Sequence, residues 1–354
     1  MDAKALLQEL VEKGVADVFI ITGRPLSYKI GNLIETLDDG QMLLPADTEE
    51  IISQIYGMAD HRSMAALLER GDDDFSFAIK GVSRFRVNTY KQRGSLAAVI
   101  RVVAFEMPNP LVLSIPGSVL DLSELRRGLV LITGPAGSGK TTTLACLIDR
   151  INHTRNAHII TLENPIEFLH RHKESLISQR EVSIDTASYA TALRAALRQS
   201  PDVILIGELR DPETISIALT AAETGHLVLS TLHTVGAVNT VDRLVDSFRA
   251  EQQTQVRMQL SMVLQSVVSQ QLIPTVDGCM TPAFEIMHCN NAIRNLVREG
   301  RTHQMSSVIN TSVAEGMVGM DASLLKLYKE GRITAQEMTT HALAPEGLAK
   351  QAGL

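Results

Sequence analysis

The sequence predicts a two-part α/β protein: an α+β domain and its linker over residues 1–117, then a domain on a mostly parallel sheet over 118–354. Three observations carry this. Residues 134–141 read Gly-Pro-Ala-Gly-Ser-Gly-Lys-Thr, a full G-x-x-x-x-G-K-[ST] match lying between the apolar run 129–132 and a helical spacing of Leu144, Leu147, Ile148 and Ile151. From Gly128 onward, apolar runs ending in polar residues alternate with helical stretches, the pattern of a parallel sheet covered on both faces. Between Glu106 and Gly117, Pro108, Pro110 and Pro116 interrupt a stretch of little periodicity, which marks a linker and places the boundary near residue 118.

The elements follow in order. The first fourteen residues form an amphipathic helix pattern, Val15 to Thr22 reads as a strand, and Leu26 to Glu35 as a hairpin around Gly31-Asn32. A helix is expected to open at Asp47 with Glu50 completing a capping box, giving helical stretches at 48–56 and 61–68. Phe75 to Lys80, Ser83 to Tyr90 and Ala97 to Val103 then make an antiparallel meander. In the second domain the strands are 129–133, 158–162, 203–206 and 226–232, with Gly134, Glu163, Glu208 and His233 at their C-terminal ends, where ligand chemistry gathers in such sheets. Past about residue 250 the pattern reads as nearly all helical, with Met258, Met262, Leu264, Val267, Val268 and Leu272 as a core stripe.

Composition narrows the function. The 354 residues are 45% apolar and 21% charged with a net charge of −7, so an ordinary globular protein without a general attraction for nucleic acid is expected. No apolar stretch reaches the roughly 18 residues needed to cross a bilayer and the N-terminus does not read as a signal peptide, so no membrane insertion and a cytoplasmic location are expected. Cys146, Cys279 and Cys289 are too few and too scattered for a disulfide framework or a four-thiolate zinc site.

The loop motif is a phosphate cradle for a nucleoside triphosphate. Gly134, Gly137 and Gly139 let backbone N–H groups turn inward, Pro135, Ala136, Ser138 and Thr142 complete the contacts, Lys140 supplies a point charge, and Thr141 offers a hydroxyl to Mg²⁺. The strand Asp202–Ile206 runs into Gly207-Glu208, the layout by which such enzymes hold Mg²⁺ through water, so Glu208 is the second metal candidate. Glu163 ends another strand and is assigned as the general base that orients water. For His233 two readings stand, a satisfied strand-end histidine or a group reaching the γ-phosphate. For Arg84, Arg86 and Arg101 two also stand, cations on a solvated sheet face or an arginine finger.

This ordered set resembles the type II/IV secretion ATPase superfamily and, within it, the PilT-like retraction ATPases of type IV pili. The resemblance covers nearly the whole chain. It rests on Ala16-Asp17 with Gly23, Arg84-Phe-Arg-Val-Asn88, the phosphate loop, Thr161-Leu-Glu-Asn-Pro-Ile-Glu-Phe168 as the Asp box, Gly207-Glu-Leu-Arg-Asp211 as the Walker B, and Glu223 to Thr234 as the His box. Ala292-Ile-Arg-Asn-Leu-Val-Arg298 resembles the element associated with retraction. The resemblance implies a PAS-like first domain and a RecA-like P-loop ATPase domain with a helical C-terminal region over about 250–354. It further implies ATP and Mg²⁺ as cofactors, Glu163 as catalytic glutamate, Glu208 as the Walker B acid, His226 and His233 as His-box histidines with His226 on the nucleotide-binding side, and Arg86 and Arg101 as arginines that approach the nucleotide. It implies a homohexamer at the inner face of the cytoplasmic membrane, with nucleotide between the two domains of each subunit, that turns an inner-membrane platform protein to retract pili for twitching motility. Whether a second retraction ATPase works beside it stays open. Pilus assembly or type II secretion is the alternative, disfavoured because the paired CxxC element is missing; an ATP-binding accessory subunit is another, because the Asp box here reads Glu163-Asn164-Pro165 where Glu-Asp-Pro is usual.

Overall fold

The computed structural model describes residues 2–30, 33–37, 40–103 and 107–354. The chain divides into two compact units, Met1–Glu106 with Glu167–Leu169 and Met107–Ile166 with His170–Leu354.

The first unit runs α1 (Ala3–Glu12), β1 (Asp17–Ile20), β2 (Ser27–Ile30), β3 (Leu33–Thr36), α2 (Pro45–Met58), α3 (Ala65–Arg70), β4 (Asp72–Ile79), β5 (Ser83–Gln92) and β6 (Ser95–Val103). Its sheet has the order β3-β2-β1-β6-β5-β4, every pair antiparallel. The β2/β3 hairpin is present, while its expected Gly31-Asn32 turn lies outside the described residues. The β5/β6 turn is Arg93-Gly94, both at positive φ, the two-residue geometry whose twist matches the strands it joins. Along β5, Phe85 and Val87 are buried in a core with Leu6, Leu10, Ile51 and Ile55 of α1 and α2, while Arg84 and Arg86 alternate onto the other face. Local boundaries differ from expectation. The α2 helix opens at Pro45, and Asp47 accepts from the Leu44 N–H at 2.8 Å instead of beginning the helix itself, because proline is preset for the first helical position. The β1 strand and α3 helix are both shorter than the sequence pattern implies.

The second unit runs α4 (Gly117–Leu120), β7 (Gly128–Thr133), α5 (Lys140–Thr154), β8 (His158–Glu163), β9 (Leu176–Glu181), α6 (Tyr189–Ala196), β10 (Val203–Ile206), α7 (Pro212–Glu223), β11 (Leu227–Leu232), α8 (Ala237–Asp246), α9 (Ala250–Val263), β12 (Leu264–Pro274), β13 (Met280–His288), α10 (Asn291–Glu299), α11 (Met305–Thr311), α12 (Met320–Lys329), α13 (Ala335–Thr340) and α14 (Pro345–Ala352). Its sheet has the order β13-β12-β7-β11-β10-β8-β9, parallel throughout except for the β12/β13 pair. Alternate residues of β7 feed two cores: Leu129 and Leu131 pack with α7, α8 and α9, Val130 and Ile132 with α5. Burial on both faces is why these strands read as unbroken apolar runs. From Met107 the proline-bearing stretch belongs to this unit, and Ile115 is buried in the α5 core.

The expectation of an almost wholly helical region past residue 250 is corrected. Residues 264–288 are two strands, with Val267 and Val268 fully buried, whereas Met258 and Met262 of α9 are exposed and Leu272 is half-buried. Apolar residues spaced as Leu264, Val267, Val268 and Leu272 fit a helix stripe and a buried strand equally well, and pairing with β7 decides for the strand.

Candidate nucleotide site

The C-terminal ends of β7, β11, β10 and β8 lie side by side, and each carries one element of the predicted site. After β7, the loop bends through Gly134, Gly137 and Gly139 at φ +140°, +75° and +85°. A Cβ on Gly134 would lie 2.1 Å from the Gln270 carbonyl oxygen and 2.7 Å from Ser138 Oγ, so β12 presses the loop into shape from behind. Lys140 Nζ donates to the carbonyls of Gly134 and Pro135 at 2.9 and 2.8 Å, arching over the loop. The 15-residue α5 starts with no side-chain cap, Ser138 Oγ is buried without a hydrogen-bond partner, and Thr141 and Thr142 are half-buried on the first turn. An uncapped helix start, an orphan hydroxyl and a glycine-shaped cradle fit a polyphosphate. Beside the helix start a cavity of about 240 Å³ is lined by Thr142, Thr143, Gln270, Leu272, Ile115 and Arg332, among others.

Glu163 closes β8 and is buried; its Oε1 accepts from Thr161 Oγ1 at 2.5 Å and from Gln179 Nε2 at 3.2 Å. The neighbouring Asn164 is exposed. Glu208 follows β10 through Gly207, whose own N–H donates to Leu162 O at 2.7 Å and whose carbonyl accepts from Thr231 Oγ1 at 2.6 Å. Those bonds knit the residue between β8 and β11. The Glu208 carboxylate is paired with Arg210 Nε at 2.6 Å and lies 3.3 Å from His233 Nε2 at the end of β11. Glu208 and His233 are therefore in direct reach of each other, an arrangement that gives the histidine a carboxylate partner at the phosphate end of the sheet.

Three predicted residues lie elsewhere. His226 precedes β11, at the opposite end of the sheet from the loop, where Nδ1 sits 2.9 Å from Ala221 O and 3.2 Å from Thr224 Oγ1. Within one chain, six strand residues separate it from the phosphate end of the sheet. Arg86 and Arg101 are in the first unit, directly opposite each other on β5 and β6 in a cross-strand row Ser76–Arg86–Arg101–Asp17. Arg101 Nε bonds Asp17 Oδ1 at 2.9 Å, and Arg86 is half-buried. In α10, Arg294 is half-buried: its guanidinium donates to the carbonyls of Ser261 and Met262 at 2.8 and 3.0 Å and closes the end of α9.

Sequence reasoning missed four residues at the site. Thr161 and Gln179 hold Glu163, and Gln270 also accepts from Thr143 Oγ1 at 2.7 Å. Tyr189 places its hydroxyl 2.7 Å from where a Cβ on Gly207 would sit; burial first, then the charges of Glu208 and Glu163, push its phenol above the usual range. Thr161 lies two residues from Glu163 on β8, a spacing that puts both on one face, whereas only strand pairing reveals Gln179 and Gln270, on β9 and β12.

A glycine-rich loop between a parallel strand and a helix, with carboxylates on the neighbouring strand ends, defines a P-loop nucleotide hydrolase of RecA-like architecture. The family model described as Type II/IV secretion system protein matches residues 3–348, and the chain belongs to that family. It is 42% identical over 346 residues to the type IV pilus retraction ATPase PilT of Pseudomonas aeruginosa, covering 98% of this chain and 99% of that one. It is 46% identical over 301 residues to a twitching motility protein of Neisseria gonorrhoeae, covering 85% and 80%. A crystal structure of the pilus retraction motor PilT with bound ADP superposes with a TM-score of 0.91 at 44% identity, covering 99% of each chain.

Proposed function

We propose that this chain is the ATP-hydrolysing motor of a pilus retraction machine, working as a homohexamer on an inner-membrane platform protein at the cytoplasmic face of the membrane. The observation that carries this is the row of P-loop, His233, Glu208 and Glu163 on adjacent strand ends, in a chain similar over its full length to a retraction motor that binds ADP. The loop amides, Lys140 and the α5 start hold the phosphates, and the cavity beside Thr142 receives the nucleoside. Thr141 and, through water, Glu208 are the groups that would hold Mg²⁺, which neutralises charge developing on the phosphates. Glu163 orients and partly deprotonates the attacking water. His233, bonded to Glu208, reports the state of the phosphate end, and Arg86 and Arg101 offer cations to the phosphates during the cycle.

Steady-state Mg²⁺-ATP hydrolysis by the purified assembly, wild type beside Glu163→Gln, tests this reading. Turnover is expected to fall about 10²-fold or more with ATP binding retained. Undiminished turnover in the variant removes Glu163 as the base, and a wild type that binds ATP without hydrolysing it favours an accessory role, with Asn164 the residue to revert to aspartate.

A further inference from the structure

The strands β8 and β9 pair in parallel with Thr161 opposite Gln179 and Glu163 opposite Glu181. Side chains two apart on a strand share a face, as do those of directly paired residues, so Thr161, Glu163 and Gln179 form a triangle on one side of the sheet. Its hydrogen bonds are directional. Thr161 Oγ1 donates to Glu163 Oε1 at 2.5 Å and Gln179 Nε2 donates to the same oxygen at 3.2 Å. The other end of the Gln179 amide is not left to choose its own orientation. Its Oε1 accepts from the backbone N–H of His170 at 2.8 Å, so the amide is fixed with its NH₂ toward the carboxylate.

We propose that Gln179, with Thr161, is a positioning residue for ATP hydrolysis: the two donors fix the Glu163 carboxylate in the orientation from which it engages water. This rests on Glu163 being the base. The physical reason is that a glutamate has three rotatable bonds, and burial alone does not choose among their rotamers. Two donors on one oxygen set both the position of the carboxylate and the plane it occupies, before any substrate arrives. The backbone N–H of His170 gives the arrangement a second consequence. His170 and Gln179 both belong to the second unit, so the amide is held from within the same body as the carboxylate it orients.

The test uses the full-length assembly and four variants: Gln179→Leu, Thr161→Val, Thr161→Ser and Glu163→Gln. Affinity for a fluorescent ATP analogue, KM, kcat and the melting temperature are measured for each. The inference expects kcat to fall about ten- to a hundredfold in Gln179→Leu and Thr161→Val, with KM and analogue affinity within about twofold of wild type. Thr161→Ser, which keeps the hydroxyl, should restore most of the turnover lost in Thr161→Val. Wild-type kcat in Gln179→Leu overturns the inference, and so does a Thr161→Ser loss equal to that of Thr161→Val, which would mark a packing role. Should Gln179→Leu fail to fold, the two Thr161 variants decide alone. If Glu163→Gln itself keeps full turnover, the base assignment has failed; if it is inactive while Gln179→Leu and Thr161→Val are not, only the positioning role has.

Discussion

The two sheets of this molecule use their strands in opposite ways. In the second unit the strands are buried on both faces, and the proposed site residues Gly134, His233, Glu208 and Glu163 emerge at the C-terminal ends of adjacent strands. In the first unit one face is packed under helices and the functional candidates stand on the other, in the middle of β5 and β6. A strand end can be changed only by altering the loop that follows, with the core indifferent to it. A strand face couples each functional side chain to its cross-strand neighbours, and here it sets Arg86 directly opposite Arg101, whose charge is already paired with Asp17 at 2.9 Å.

The difference is broken most severely at Gly134. Replacing it by alanine puts a Cβ against the Gln270 carbonyl at a backbone angle that side chains rarely adopt, costing about 3 kcal/mol or more. Titration with a fluorescent ADP analogue should detect no binding; wild-type affinity would mean that β12 does not brace the loop. Next in size is Arg86→Ala. Turnover is expected to drop about 10³-fold if the group acts as an arginine finger, while the melting temperature stays level or rises, since removing one of two like charges on facing strands is worth about 0.2–1 kcal/mol. A matched loss of stability and turnover would instead make Arg86 a structural residue of the sheet.

The smallest effect sharpens the same contrast inside the first unit. Asp73 is buried on β4, where it accepts a two-point bond from Arg62 at 2.9 Å and one from Tyr56 Oη at 3.0 Å. The Arg62 bonds hold its carboxyl below the ordinary range despite burial. A depressed folded-state value adds stability above the unfolded value near 3.9 and loses it as pH falls through the folded one. Asp73→Asn should therefore cost about 1–2 kcal/mol at neutral pH, kept low because Arg62 is partly exposed. Urea melts from pH 7 to pH 2 should show the gap between the two proteins closing below about pH 4, and a constant gap would assign the loss to packing.

Much of the site was legible in the sequence because its signals are local. A P-loop is eight consecutive residues, and a carboxylate closing an apolar run announces a strand end in the same way. What stayed hidden depends on which strands become neighbours. The segment Leu176–Glu181 is mostly polar and edge-placed, so neither β9 nor the bond from Gln179 to Glu163 follows from spacing. The segment Leu264–Pro274 was hidden for a different reason: its apolar residues Leu264, Val267, Val268 and Leu272 are spaced in a way that suits a helix stripe as well as a buried strand. The bonds of Arg294 were hidden too, since only the packing of α10 beside α9 gives it carbonyls to bind.

Glu285 on β13 is buried, and burial raises its carboxyl above the ordinary range while two backbone donors pull it back: the N–H of Ala237 at the start of α8, at 2.6 Å, and that of Met320 at the start of α12, at 3.4 Å. One acid thus terminates two helices, the first of which follows directly on the His233 loop. The C-terminal helices are for that reason no detachable tail: a chain cut before Met320 would keep every residue of the phosphate loop and still leave a sequestered carboxylate with one donor missing, right under the segment that carries His233.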